Sequence, residues 1–204
     1  MSAGYPSREE AHRLLEDALK SNPGPWGDHS RNAAFCAERI AEATGLDPEK
    51  GYVLGLLHDI GRKFGIYHMP HIYNGYHYMM ELGYADVARV CLSHSFSTPD
   101  FRTYIGKFDV TEEQREELRQ LLRQMEYDDY DRLIQLCDCL AASWGIVDME
   151  ERMLDVKHRY GEYPQEKWDN NLQLRHYFEK KAGKDIYEIV KAGCLMTACF
   201  YNVI

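Results

Sequence analysis

Apolar positions recur at a spacing near 3.6 residues along almost the whole chain, and the residues that interrupt them are helix caps rather than hairpin turns. The pattern predicts an all-α protein without strands. Ser7 with Glu10 has the form of a capping box and opens a helix to about Ser21, which Asn22-Pro23-Gly24-Pro25 breaks. Asp28 is placed to cap a second helix carrying Ala33, Cys36, Ala37, Ile40 and Ala41, closed by Gly45. Asp47-Pro48 starts a third, whose Tyr52, Val53, Leu54, Leu56 and Leu57 make it apolar on most sides, the mark of a buried central helix. Pro70 begins a fourth, covering His71 to Leu82, and Asp86 a short fifth with Val87, Val90, Cys91 and His94. Ser95 to Lys107 reads as a loop, and Thr111 with Gln114 caps a charged, solvated helix to about Met125. Asp131 to Ser143 is apolar again. Three further helices are expected over about 148–160, 165–181 and 185–203, separated by Gly161, Pro164 and Gly183.

Six residues break the apolar pattern with groups able to ligate a metal: His29, the adjacent His58 and Asp59, His71, His94 and Asp138, drawn from five helices. An ionised carboxylate buried without a partner costs several kcal/mol, and a shared cation removes that penalty for Asp59 and Asp138. Imidazole with carboxylate suits a divalent transition metal, Fe or Mn first, with Zn, Co or Ni also compatible, rather than Ca or Mg. His77 lies about 240° around the helix from His71, so the two do not share a face. Arg152 and Arg159 project in the same general direction and read as ion-pair partners, with an anionic substrate as the alternative; Tyr73, Tyr76 and Tyr78 read as packing between helices.

Composition narrows the setting. With 204 residues, 45% of them hydrophobic and 28% charged, the chain has material for a sizeable core. Its 24 Lys and Arg against 33 Asp and Glu leave a net charge of -9, which removes the broad basic footprint expected for duplex nucleic acid or an anionic membrane. The six cysteines form no CxxC pair, and neither an export signal nor a membrane-spanning run is expected, so a reduced cytoplasmic setting fits. A homodimer is left open.

The order His29, then His58-Asp59-Ile60-Gly61, then a distant Asp138, resembles the HD superfamily of metal-dependent phosphohydrolases, of which HDIG is a subtype. The resemblance covers about residues 22–145 and implies an HD-type helical bundle followed by a C-terminal helical extension over about 146–204, in one domain. It implies that His29, His58, Asp59 and Asp138 bind one ion. His71 at the head of HIYNG and His94 in LSHS resemble the additional histidines of two-metal branches, and six ligands suit two ions with Asp59 bridging. His58 and Asp59 are then catalytic through the metal. Where the related HDIGK motif carries Lys, this chain has Arg62 followed by Lys63; both are assigned to substrate phosphate, with His68 as a further substrate contact. The GYP signature and a second His after His94 are missing, which turns the resemblance away from the cyclic di-GMP branch and towards hydrolysis of a small phosphorylated substrate, a nucleotide or dinucleoside polyphosphate, by metal-activated water. Two alternatives stay open: an HD-fold di-iron oxygenase, and a non-catalytic metal-bound domain that senses a nucleotide.

Overall fold

The structure, a computed structural model, describes residues 4–65 and 67–191. Its helices are α1 (Arg8–Ser21), α2 (Trp26–Thr44), α3 (Pro48–Leu57), α4 (Pro70–Glu81), α5 (Ala85–Ser93), α6 (Glu112–Arg123), α7 (Asp129–Leu140), α8 (Met149–Tyr160), α9 (Gln165–Ala182) and α10 (Ile186–Lys191), with two 3-10 turns at Ile60–Phe64 and Phe101–Thr103. The all-α architecture is as the periodicity predicts. No helix among the described residues is long and apolar enough to cross a membrane. The Ser7 hydroxyl accepts from Glu10 N at 3.2 Å, the Asp47 carboxylate caps α3, and Thr111 and Gln114 complete a reciprocal capping box on α6.

Helix α3 is the axis of the bundle, in contact with α1, α2, α5 and α7. Its approach to α2 depends on glycine: a Cβ on Gly55 would lie 2.8 Å from Ala34 Cα, and one on Gly51 would lie 3.0 Å from the Ala37 carbonyl oxygen. Small residues on both helices let the backbones close and carry the α2 site residue onto the end of α3. A second, smaller core under the loop after α5 gathers Met69, Ile72, Leu92, Phe96 and Tyr104. Leu118 and Leu122 of α6 seal it, so that the charged helix is solvated on one face and buried along the other.

Several boundaries differ from the sequence reading. Helix α2 begins at Trp26, with Asp28 inside its first turn and paired to Arg31 at 2.9 Å, because Trp26 Nε1 anchors the start by donating to the Asn22 carbonyl at 2.9 Å. Helix α7 is capped by Asp128, and Asp131 is the reciprocal partner in that cap rather than the first residue. The expectation of no strand is corrected by a short antiparallel hairpin, Ala141–Ala142 with Gly145–Ile146, closed by Gly145 at φ 145°. The last expected helix is described only as Ile186–Lys191; the remainder of 185–203, with Cys194 and Cys199, lies outside the described residues. Cys36, Cys91, Cys137 and Cys139 are free thiols.

Among the described glycines, the closest backbone approach joins the turn after α3 to α4. A Cβ on Gly61 would lie 1.9 Å from the His71 carbonyl oxygen and 2.6 Å from Gly75 N, both backbone atoms that cannot swing aside. Gly61→Ala is therefore expected to destabilise the fold by about 3 kcal/mol, measured by urea denaturation. A variant as stable as the wild type would contradict this packing.

Candidate metal centre

Element ends deliver the six polar residues to one place. His29 lies in the first turns of α2, His58 is the residue that ends α3, His71 opens α4, His94 ends α5 and Asp138 stands in the last turn of α7. Asp59 has left the helix, with φ -102° and ψ 13°, and starts the 3-10 turn, so the angle between His58 and Asp59 is set by this turn and not by helical spacing. The four imidazoles and Asp59 are buried, whereas the Asp138 side chain keeps 30% exposure at the edge of the cluster.

Every imidazole is oriented in the same way, with Nδ1 on a backbone carbonyl. His29 donates to Ala141 at 3.2 Å, His58 to Gly55 at 2.7 Å, His94 to Val90 at 3.1 Å and Cys91 at 3.0 Å, and His71 to His68. Carbonyls accept only, so each Nδ1 holds the proton and each Nε2 presents a lone pair inward. The Nε2 atoms of His29 and His58 are 3.2 Å apart, and those of His71 and His94 are 3.3 Å apart. Two lone pairs at such distances repel unless a cation lies between them. Nitrogens at about 2.1 Å from one ion fall about 3.0 to 3.4 Å apart at ordinary coordination angles, which the observed spacings match.

The carboxylates complete two triads, each able to hold a metal ion: His29, His58 and Asp138, and Asp59, His71 and His94. Asp138 Oδ1 is 3.0 Å from His29 Nε2 and 3.8 Å from His58 Nε2. Asp59 Oδ1 is 3.3 Å from His71 Nε2 and 3.6 Å from His94 Nε2, while its Oδ2 lies 4.0 Å from His29 Nε2 and accepts from Arg62 Nε at 2.5 Å. Asp59 thus stands between the triads. Its buried Oδ1 receives no hydrogen bond, an orphan acceptor of the kind that a bound cation satisfies.

Protonation suits ligation. Burial pushes the His58 imidazole down to about 4, and burial together with the Arg62 charge holds His71 well below its ordinary value. Burial opposes ionisation of Asp59 and Asp138, yet Arg62 and the facing imidazoles outweigh it, and both carboxyls sit well below the usual range. His29 alone is shifted the other way, raised because its bond to Asp138 overcomes burial.

The predicted substrate contacts separate. Arg62 borders the cavity beside the cluster, held through Nε, with both Nη groups free of partners among the described residues. Lys63 turns the other way: its Nζ donates to the Tyr78 hydroxyl at 3.2 Å and lies over that ring. His68 touches the site through its carbonyl, which orients His71, while its ring stands edge-on to Tyr160. His77 pairs with Glu117 at 3.1 Å, away from the cluster.

Sequence reasoning missed the clamp behind His94. Asp131 is fully buried, accepts from Arg89 Nε at 2.8 Å and from the Ser93 hydroxyl at 2.7 Å, and so ties the end of α5 to the start of α7. Gln135 adds donations to the Ser93 and Phe96 carbonyls at 3.1 and 2.8 Å. Only the capping signature Asp128-x-x-Asp131 hinted at it.

The cluster opens onto a cavity of about 380 Å³ bordered by His29, Asp59, Asp138, Arg62, Trp144 and Tyr160, a volume within the range of small-molecule sites. A family model described as HD domain matches residues 26–143, more than half of the chain. No curated protein and no solved structure matches it.

In the metal-free protein, the depressed His58 value fixes a pH dependence. An unfolded His protonates near 6.5 and the folded His58 only near about 4, so the unfolded state binds the proton first and stability falls as pH drops through this window. His71 acts in the same sense; the raised His29 acts in the opposite one, its contribution growing as pH falls and complete only below about 6.5, one imidazole against two. The free energy of unfolding in urea is expected to be lower at pH 5 than at pH 7. Equal or greater stability at pH 5 would contradict the neutral assignment.

Proposed function

The chain belongs to the HD domain family, whose members are in general metal-dependent phosphohydrolases, and we propose that this one is a two-ion enzyme that opens a phosphoester or phosphoanhydride bond of a nucleotide or dinucleotide. The observation that supports it most is the pair of triads, with Asp59 between them. His29, His58 and Asp138 would hold one ion and His71 and His94 the other, with Asp59 shared; Fe or Mn suits the donor set best, and Zn, Co or Ni is compatible. Such ions, when bound, bring a water towards neutral pKa and offset charge on phosphoryl oxygens.

The chain's own groups do the rest. Asp59, ionised and pinned by Arg62, keeps its free oxygen on the second triad. The unengaged Nη groups of Arg62 are placed to grip a substrate phosphate as a fork, and this reading gives that contact to Arg62 rather than to Lys63, which Tyr78 holds. Trp144, 62% exposed at the cavity rim, offers a flat face to a base. The HDIG subtype, a dinucleoside polyphosphate as substrate, the core at about 22–145 with its extension in one domain, and a small anionic partner in the cytoplasm belong to the same proposal.

The test is hydrolysis of nucleotide phosphoesters by protein reconstituted with Mn or Fe. Asp59→Ala is expected to lose bound metal and to reduce turnover at least about a hundredfold. His71→Ala is expected to halve the metal held per chain. Activity that requires O2 and ignores phosphate esters would replace this reading with the oxygenase, and nucleotide binding without turnover in any metal would replace it with the sensor.

A further inference from the structure

A second, smaller cavity of about 130 Å³ adjoins the first, and the two share Ser95, Asp138, Arg152, Val156 and Tyr160 in their walls. Its cationic groups come from α8 and α9, beyond the segment matched by the family model. Lys167 donates to the Ser95 carbonyl at 2.6 Å and forms no ion pair among the described residues, which leaves two of its three ammonium protons without a partner there. Among the described residues Arg152 has one carboxylate within 4 Å, Asp155 Oδ2 at 3.7 Å, and that oxygen already accepts from Arg159 Nε at 3.0 Å and lies 2.9 Å from its Nη2. The Tyr163 hydroxyl accepts from Asn171 Nδ2 at 2.7 Å, so its own proton is free to be donated. The one carboxylate in the wall, Asp138, is turned to His29.

In a chain with net charge -9, two under-neutralised cations and a hydroxyl donor meet in one small cavity. Its volume equals about four waters at roughly 30 Å³ each, room for a tetrahedral oxyanion but below the range of pockets that hold whole small molecules. We propose that Arg152, Lys167 and Tyr163 form an anion subsite that holds a second, non-reacting phosphoryl group of the substrate next to the metal centre. The substrate class narrows accordingly to molecules carrying two phosphoryl groups close enough to span the joined cavities. The identity of the ligand rests on the phosphohydrolase reading; the existence of the subsite does not.

Calorimetric titration of the chelator-treated full chain with inorganic phosphate, and separately with acetate, separates the two. Saturable binding of one phosphate, tighter than acetate, is expected, weakened at least about tenfold in Lys167→Met and in Arg152→Met and largely restored in Lys167→Arg. Lys20→Met, an exposed residue of α1 paired with Asp17 at 2.8 Å and lining neither cavity, serves as control and should bind as the wild type does. Circular dichroism establishes that each variant is folded. Absence of saturable phosphate binding, binding indifferent to both Met variants, or preference for acetate would overturn the subsite. Metal content measured on the same proteins keeps the outcomes apart: a failed subsite leaves metal uptake by the two triads intact, and failed metal uptake leaves phosphate binding intact.

Discussion

Four buried imidazoles share one constraint, the gift of each Nδ1 proton to a backbone carbonyl, and the rest of the structure is arranged around it. The carbonyls of Gly55, His68, Ala141 and the α5 terminus fix the tautomers, and the Nε2 lone pairs that result are crowded together with two carboxylates. Such a grouping is unfavourable by itself, because like lone pairs face each other and Asp59 Oδ1 lacks a donor. Backbone groups are the most rigid partners available for orienting ligands, so the cluster is preorganised by secondary structure rather than by other mobile side chains.

That arrangement demands close backbones. Helix ends, with their unpaired carbonyls and departing chain, are where a side chain can be aimed inward without breaking a hydrogen-bond ladder, and five elements end or begin at the cluster. Glycine permits the convergence: Gly51 and Gly55 bring α3 onto α2, and Gly61 lets the turn after α3 press against the start of α4. The hairpin after α7 has the same purpose, since it turns the Ala141 carbonyl towards His29 and the Ala142 carbonyl towards Asn32, at 2.7 Å.

Local chemistry was legible in the sequence. Caps at Ser7, Asp47 and Thr111 act within three residues, and the six polar positions stood out because each interrupts an apolar helical pattern; the structure brings all six together. What escaped depends on contacts distant in the chain. Nothing in the dipeptide Arg62-Lys63 reveals that one side chain enters the cavity while the other stacks on Tyr78. The service of His68 through its carbonyl, the buried Asp131 clamp and the meeting of Lys167 with the Ser95 carbonyl across 72 positions are equally invisible before folding. Trp26 overrode the capping preference of Asp28 for the same reason: an aromatic anchor outweighs a cap worth about 1 kcal/mol.

The most direct test of the two-triad centre is anomalous X-ray diffraction at the absorption edge of Mn or Fe, from crystals of the reconstituted full chain. Two peaks are expected, one against His29, His58 and Asp138 and one against His71 and His94, with Asp59 in contact with both. A single peak, or none within the cluster, would contradict it.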